Sequence, residues 1–307
     1  MKQVSAHITS NVAVMSDMHL VWIEAPEISL VAQPGQFITV NCEGFTLRRP
    51  FSIHQAKQSQ IAILFKVMGK GTSWLSQCHK GDKIDILGPL GNGFTIAPSA
   101  KNLLLVAGGI GIAPLVFLAE CASPQHSISL IPGASTATEL YPLMKADSSG
   151  AYPKAALVGT DLGNYPKEQL ITASPSLNVI ARSEAMKQSQ EGITFIPVTE
   201  DGTAGEKGMI TDILPRFLDW ADQIFACGPL DMYKAMANIS LPAKAPSRAK
   251  QSNLKIKKCQ VSLEVRMGCG IGACYGCTIN TKKGLKKVCL DGPVFELDDI
   301  LWQEVRI

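Results

Sequence analysis

The stretch MGCGIGACYGCTINTKKGLKKVC, residues 267–289, carries four cysteines spaced C-x4-C-x2-C-x11-C. This spacing matches the plant-type ligand pattern for a [2Fe-2S] cluster, in which a distant fourth cysteine completes the set. Four glycines lie beside the first three cysteines. Because glycine has no Cβ, a loop rich in it can wrap tightly with its backbone N–H groups pointing inward. The stretch therefore predicts a cluster ligated by Cys269, Cys274, Cys277 and Cys289.

A structural zinc site is the alternative for this stretch, because four thiolates also suit Zn2+. Zinc ribbons usually carry two short C-x2-C knuckles, whereas one C-x2-C occurs here, inside a glycine loop. The remaining five cysteines have no ligand spacing, and we expect them to be small buried side chains. They are Cys42, Cys78, Cys121, Cys227 and Cys259.

The composition describes a globular chain of 307 residues, 46% hydrophobic and 18% charged, with a net charge of +3. A chain of this length usually divides into two or three domains. The charge is too small to favour nucleic-acid binding, and no basic run is interleaved with aromatic residues, so we expect no nucleic-acid partner. Residues 102–119 are uncharged but interrupted by three glycines and Pro114, so we expect no membrane span. Nine cysteines without an export signal predict a cytoplasmic protein.

The order of patterns along the chain predicts a multidomain fold. Short alternating apolar runs predict an antiparallel β-barrel over residues 1–98, and strands alternating with helices predict an α/β domain with a parallel sheet over 99–240. Residues 241–258 hold six basic residues and no acidic one, which favours a linker, with a docking surface for an acidic partner as the alternative. The cysteine module occupies 259–307, and residues 142–192 have no assigned role.

The motif RRPFSI, residues 48–53, comes at the end of one predicted barrel strand and suits a flavin dinucleotide. Arg49 can pair with a pyrophosphate, and Ser52 can hydrogen-bond near the flavin N5. Phe51 would pack against the ring system or its ribityl chain. The alternative is a surface ion pair for Arg49 and barrel filling for Phe51.

A second motif, GKGT at residues 69–72, follows another predicted barrel strand. Its residues Gly71 and Thr72 can expose backbone N–H groups to a phosphate. Taken together with the arginine motif, it favours FAD as the ligand of the barrel.

A nucleotide site is predicted by NLLLVAGGIGIAPLVFLAEC, which reads as a strand, a glycine turn and a helix with Pro114 in its first turn. A helix N-terminus attracts anions, and Gly109 and Gly111 let the backbone approach a pyrophosphate. Proline replaces the third glycine of the dinucleotide fingerprint. A simple helix-capping turn is the alternative.

The run FACGPLDMYKAM places Cys227, Gly228 and Pro229 directly after an apolar strand. In open α/β sheets, ligands bind at the carboxyl ends of the strands. The Cys227 thiol could therefore face a nicotinamide, although packing in the core is the alternative.

The ordered set RRPFSI, GKGT, GGIGIAP, EDGTAGEKGMITDIL, ACGP and CGIGACYGC…VCLDGPVF resembles the ferredoxin reductase-like flavoproteins. More narrowly, it resembles the electron-transfer subunits of type B dihydroorotate dehydrogenase. The resemblance implies FAD, a [2Fe-2S] cluster and NAD as cofactors, with the nicotinamide nucleotide lying across the GGIGIAP and CGP turns. The FAD contacts that it implies are Arg49, Pro50, Phe51, Ser52, Lys66, Val67, Met68, Gly71 and Thr72.

The same resemblance implies a function and a partner. Electrons would pass between NAD and an FMN-containing dihydroorotate dehydrogenase catalytic subunit, in a heterotetramer that serves pyrimidine biosynthesis. With the cofactors carrying the chemistry, we expect no catalytic acid or base in this chain. Relatives of this architecture also serve sulfide dehydrogenases, hydrogenases and ferredoxin:NADP reductases, and a non-catalytic zinc module is the alternative of another class. The sequence does not distinguish NAD from NADP as the nicotinamide nucleotide.

Overall fold

The computed structural model describes residues 1–141, 193–240 and 258–305 of the chain. Its N-terminal part is a closed antiparallel barrel of six strands in the order β1-β2-β5-β4-β3-β6. The strands are β1 (Lys2–Met15), β2 (Met18–Glu24), β3 (Phe37–Asn41), β4 (Arg49–Lys57), β5 (Gln60–Lys66) and β6 (Lys83–Leu90), with short helices α1 (Pro26–Ser29) and α2 (Lys70–Ser76). Alternate side chains fill the barrel, as the period of a strand requires.

The second part is a sheet in the order β11-β10-β8-β7-β12-β13-β16, with β9 beside β8. Its first strands and helices are β7 (Asn102–Gly108), α3 (Ile112–Ala122), β8 (Ser127–Ala134), β9 (Ile193–Phe195), β10 (Val198–Thr199), β11 (Glu206–Lys207), α4 (Ile210–Ile213), β12 (Gln223–Cys227) and α5 (Leu230–Ser240). The pairs among these strands are parallel. Parallel strands connected by helices are typical of nucleotide-binding α/β domains.

The C-terminal segment continues this sheet. It contains β13 (Cys259–Ser262), β14 (Thr278–Thr281), β15 (Gly284–Lys287), α6 (Val288–Asp291) and β16 (Val294–Glu296). Strand β13 lies parallel to β12, and β16 lies antiparallel to β13. The buried Cys277 and Cys289 belong to the same apolar core as Leu104 and Ile224 of the sheet. The cysteine segment is therefore fastened to the nucleotide sheet by both hydrogen bonds and core packing.

The predicted fold class is confirmed, and two local predictions need correction. The motif RRPFSI opens β4 rather than ending a strand, because the chain turns just before it and enters the barrel at Arg49. The run ITFIPV forms two short strands instead of one, since Pro197 has no N–H to continue the ladder. The run AALVG and, apart from Lys258, the basic segment lie outside the described residues. In the described ranges, no helix is long and apolar enough to span a membrane.

One buried histidine joins the barrel to the sheet. The His54 ring is fully buried, with Nδ1 at 2.9 Å from the Ala113 carbonyl oxygen and Nε2 at 3.3 Å from the Tyr141 hydroxyl. Because a carbonyl only accepts, Nδ1 carries the proton and Nε2 accepts from Tyr141. A neutral imidazole thus ties β4 to the first turn of α3.

This contact makes stability depend on pH. Burial lowers the pKa of His54 to about 4, from 6.5 in the unfolded chain. The unfolded state therefore takes up the proton first, and the free energy of unfolding should fall by about 2 to 3 kcal/mol as pH drops through this window. Urea unfolding of the protein and of His54→Gln between neutral and mildly acidic pH checks this. An equal slope in both proteins would assign the effect to other groups.

Candidate functional site

The four cysteines of the predicted cluster site meet between the glycine loop and α6. Each sulfur accepts a backbone N–H: Gly272 donates to Cys289 Sγ at 3.1 Å, and at 3.4 Å Cys274 donates to Cys269, Gly276 to Cys274 and Cys289 to Cys277. Such donors stabilise negative charge on sulfur. The site therefore has the chemistry of thiolate ligands.

The cysteines fall into two pairs. The side chains of Cys269 and Cys274 lie within hydrogen-bond reach, as do those of Cys277 and Cys289. Among the described residues, no group of three or more His, Cys, Asp or Glu side chains is arranged around a single metal position. Two irons would divide four ligands into two pairs, so the pairing of the cysteines fits a two-iron cluster.

Cys269 and Cys289, one from each pair, differ electrostatically. Burial raises the pKa of the Cys269 thiol, but the backbone N–H groups of Ile271 and Cys274 outweigh this effect and lower it to about 6. Burial, reinforced by the neighbouring Cys277, raises the pKa of Cys289 to about 12. The Cys269 thiol is therefore prepared as a thiolate at neutral pH, whereas at Cys289 metal binding must displace a proton.

The glycine loop packs on the barrel beside the flavin motif. A Cβ on Gly270 would lie 2.9 Å from Thr39 Cγ2, and Thr39 pairs with Pro50 of the RRPFSI motif. Neighbouring strands are about 4.8 Å apart. The Thr39 side chain is buried, and in the described part of the chain its hydroxyl has no hydrogen-bond partner. The unpaired Thr39 hydroxyl at this junction could hydrogen-bond to a cofactor bound between the loop and β4.

A second contact fixes the cluster segment on the barrel. The Asn92 backbone N–H donates to the Gly292 carbonyl at 2.6 Å, and its side-chain amide donates to the Asp291 carbonyl at 3.0 Å. Both acceptors lie within four residues of Cys289. Neither Asn92 nor Thr39 belongs to a sequence motif, and the sequence carries no local signal for either, because each acts on residues far along the chain.

The arginine of the flavin motif lies over the GKGT turn. A Cβ on Gly71 would be 2.9 Å from Arg49 Nε, and the guanidinium lies 5.4 Å from the centre of the Phe45 ring. The half-buried Ser52 faces outward from the barrel, whereas Phe51 faces inward and packs against Phe65 at 5.4 Å. The structure thus brings Arg49 and Gly71 together, and Phe51 fills the barrel.

The other predicted flavin contacts form the edge of this site. Thr72 Oγ1 accepts the N–H groups of Met68 at 2.9 Å and Gly69 at 3.0 Å, which shapes the turn before α2. Lys66 Nζ forms an ion pair with Asp17 at 3.0 Å. The Val67 N–H donates to the Asp17 carbonyl, while the Met68 side chain is exposed. These residues form one continuous stretch of chain from the end of β5 to the start of α2.

The glycine turn and the CGP turn pack backbone against backbone. A Cβ on Gly111 would lie 2.1 Å from the Cys227 carbonyl oxygen, and one on Gly228 would lie 3.0 Å from Gly108 Cα. Gly109 has φ +53° and open space around it. Pro114 lies in the first turn of α3, as predicted. Gly111 thus serves close packing, while Gly109 leaves backbone exposed for a ligand.

The CGP turn is held in place by Tyr233, which lies six residues after Cys227 in the same run. The Tyr233 hydroxyl accepts the Gly228 N–H at 2.8 Å and donates to the Ser262 carbonyl at 2.7 Å. Pro229 contacts the Gly108 side of the glycine turn. Cys227 is fully buried, and burial raises the pKa of its thiol well above the usual range. Its side chain matches the packing alternative, and an uncharged thiol is a poor nucleophile.

The comparisons with known proteins agree with this geometry. Residues 264–301 match the family model for the iron-sulfur cluster binding domain of dihydroorotate dehydrogenase B. The chain is 34% identical over 275 residues to the dihydroorotate dehydrogenase B (NAD(+)) electron transfer subunit of Caldanaerobacter subterraneus subsp. tengcongensis, covering 88% of this chain and 87% of that protein. It is 31% identical to the subunit of the same name from Desulforamulus reducens, covering 91% of each.

Solved structures share the fold. A chain of the NADH-dependent reduced ferredoxin-NADP oxidoreductase superposes with a TM-score of 0.70 at 25% identity, covering 98% of this chain and 91% of that one. A ferredoxin NADP+ reductase from Neisseria gonorrhoeae gives a TM-score of 0.55 at 16% identity, covering 84% and 99%. With full-length similarity to curated subunits, the chain belongs to the family of electron transfer subunits of dihydroorotate dehydrogenase B.

Proposed function

We propose that this chain passes electrons between NAD and the catalytic subunit of a dihydroorotate dehydrogenase, through FAD on the barrel and a [2Fe-2S] cluster on Cys269, Cys274, Cys277 and Cys289. One observation carries the proposal. The cluster loop touches Thr39, and Thr39 pairs with Pro50 of the flavin motif. The two predicted cofactor sites are therefore neighbours across a single strand.

Different residues would bind and orient the FAD and the nicotinamide nucleotide. When bound, FAD supplies the conversion between two-electron and one-electron transfer, and the cluster supplies a one-electron carrier. Arg49 with the Gly71–Thr72 turn would bind the FAD phosphates, and Ser52 would orient the flavin edge from the outer face of β4. Gly109, at the open side of the glycine turn, would admit the nucleotide pyrophosphate at the start of α3.

The proposed functional domains follow the sequence boundaries. Residues 1–98 would bind FAD, 99–240 would bind NAD, 241–258 would link them to the cysteine segment, and 259–307 would bind the cluster. Because β13 continues the nucleotide sheet, the boundary at 259 separates functions rather than hydrophobic cores.

The partner subunit would dock where the cluster is most accessible. Cys274 is exposed, and Ile271, Tyr275 and Leu290 around it are exposed apolar side chains. Large exposed apolar side chains grouped together mark protein contacts. The proposed partner is an FMN-containing catalytic subunit that oxidises dihydroorotate for pyrimidine biosynthesis, assembled with this chain as a heterotetramer in the cytoplasm.

Replacing Arg49 tests the FAD site. Arg49→Ala should weaken FAD binding about 10- to 100-fold, because a charge-assisted hydrogen bond to phosphate contributes about 1.5 to 3 kcal/mol. Fluorescence titration of the apoprotein with FAD measures this. The neighbouring Arg48 is the control, since it is paired with Asp85 on the barrel. Equal losses for Arg48→Ala and Arg49→Ala would contradict the assignment.

The overall proposal is tested by anaerobic titration of the purified protein with NADH, followed by its visible spectrum. Bleaching of both the flavin and the cluster bands would establish the path. A colourless preparation purified without oxygen would instead support a zinc module.

The likeness to the NADH-dependent ferredoxin-NADP oxidoreductase favours one second candidate, an electron-transfer subunit of a ferredoxin-linked complex. The partner decides between the two functions. Isolation of the native complex should yield a subunit that oxidises dihydroorotate, whereas recovery of a different oxidoreductase would support the second candidate.

A further inference from the structure

Lys287 lies at the end of β15, two residues before the fourth cysteine. Its ammonium Nζ donates to the Gly272 carbonyl at 3.0 Å and lies 4.5 Å above the centre of the Tyr275 ring. Its backbone N–H donates to Asp291 Oδ2 at 2.8 Å, within α6. A single side chain therefore bridges the loop with the first three cysteines and the segment that carries the fourth.

The two groups that Lys287 contacts are conformationally demanding. Gly272 has φ +81° and Tyr275 has φ +60°. Side chains rarely adopt this left-handed region, so Tyr275 needs contacts that hold it there. Gly272 also donates its N–H to Cys289 Sγ. Loss of the ammonium would therefore loosen Gly272, the residue whose N–H supports the fourth ligand.

Lys287 also differs electrostatically from the other lysines of this hairpin. Lys283 forms an ion pair with Asp299 at 2.6 Å, and Lys286 with Asp291 at 3.5 Å. Among the ion pairs of the described residues, none neutralises Lys287, whose ammonium faces a carbonyl and a ring. Its positive charge therefore acts on the cluster loop. A nearby positive charge favours the reduced form of a redox centre.

We propose that Lys287 is a positioning residue that closes the cluster loop over the fourth ligand and raises the reduction potential of the cluster. The inference rests on the proposed [2Fe-2S] site. It separates into two measurable parts. The contacts with Gly272 and Tyr275 set how firmly the cluster is held, and the charge sets its potential.

Two variants separate these parts. Lys287→Gln keeps an amide that can donate to the Gly272 carbonyl but removes the charge. In an EPR-monitored redox titration it should lower the ratio of reduced to oxidised cluster at a fixed potential about tenfold, or about 59 mV for one electron. Lys287→Met removes the donor as well, and it should also release iron to a chelator severalfold faster than the wild-type protein.

Control variants test the cluster-holding role and the effect on the reduction potential separately. Lys283→Met removes a paired lysine of the same hairpin, and Lys287→Arg keeps the charge and the donor, so both should match the wild-type protein. Tyr275→Leu removes the ring and keeps the charge, so it should speed iron release with little shift in potential. If Lys287→Met cannot be loaded with a cluster, Lys287→Gln and Tyr275→Leu decide the two parts.

Two results would overturn the inference. One is an unchanged potential in Lys287→Gln, together with unchanged iron release in Lys287→Met and Tyr275→Leu. The other is an equal shift in Lys283→Met, which would show that any charge on the hairpin has the same effect. A wild-type protein without a [2Fe-2S] spectrum would refute the proposed function instead, so the two failures are distinguishable.

Discussion

Replacing Cys277 by alanine is expected to abolish the [2Fe-2S] cluster while leaving the reduction of flavin by NADH intact. Cys277 is 4% exposed and pairs with Cys289 in the shared core. Without it, one iron of the proposed cluster would lose half of its protein ligands, and no other cysteine in the described residues pairs with Cys289. Electron transfer to the catalytic subunit should fall by about 100-fold or more, since ligands held for one function act as a unit.

The matched control is Cys259→Ala. Cys259 is also 4% exposed and begins β13 of the same segment, but it lies outside the ligand spacing. Both variants should lose a similar small amount of packing free energy, about 1 kcal/mol. Iron and acid-labile sulfide analysis with EPR measures the cluster, and stopped-flow absorbance measures flavin reduction. A Cys277→Ala protein that keeps a full cluster would place the metal site elsewhere.

Features that depend on short spacing could be predicted from the sequence. The four cysteines lie within 21 residues of each other, and the glycine turn with its helix is one continuous stretch. The spacing was sufficient here because one loop supplies three cysteines and a short hairpin brings back the fourth. The barrel was equally accessible, since alternation along each strand reports which face is buried.

The contacts that assemble these parts could not be predicted in this way. Asn92 reaches Asp291 across 199 positions, and Thr39 reaches Gly270 through the packing of a barrel strand on a loop. No pattern in one segment reports its partner in a distant segment. The sequence also left the role of Phe51 open between flavin contact and barrel filling, and in the structure its ring packs in the barrel core.

The role of the glycines in the nucleotide turn shows the same limit. The sequence groups Gly109 with Gly111 as places where a pyrophosphate can approach. In the structure, Gly111 has φ −59°, an ordinary helical value, and its missing side chain makes room for the CGP turn. Gly109, with φ +53°, faces open space. Gly111 therefore allows the two turns to pack together, whereas Gly109 leaves open the space through which a pyrophosphate could approach.

Gly111→Ala should therefore separate the two turns of the proposed nucleotide site. The added Cβ would lie 2.1 Å from the Cys227 oxygen and 2.7 Å from the Gly228 nitrogen, and backbone cannot rotate away as a side chain can. Restoring normal contact requires a shift of roughly 1 Å. Misplacement of this size should slow hydride transfer from NADH about 100-fold, and overpacking should cost about 1 to 3 kcal/mol of stability.

Gly109→Ala isolates the packing effect, because it adds the same methyl group in the same turn where no atom lies within 4 Å. The left-handed backbone costs about 1 to 2 kcal/mol, and the methyl group at the open side of the turn should weaken NADH binding. The hydride-transfer rate at saturating NADH should nevertheless remain much closer to that of the wild-type protein. Stopped-flow reduction of the bound flavin over a range of NADH concentrations gives the rate and the affinity for both variants. If the two variants show an equal loss in the rate of hydride transfer, contact between the turns does not align the nicotinamide with the flavin. The alignment would then depend on the backbone freedom of the glycine turn.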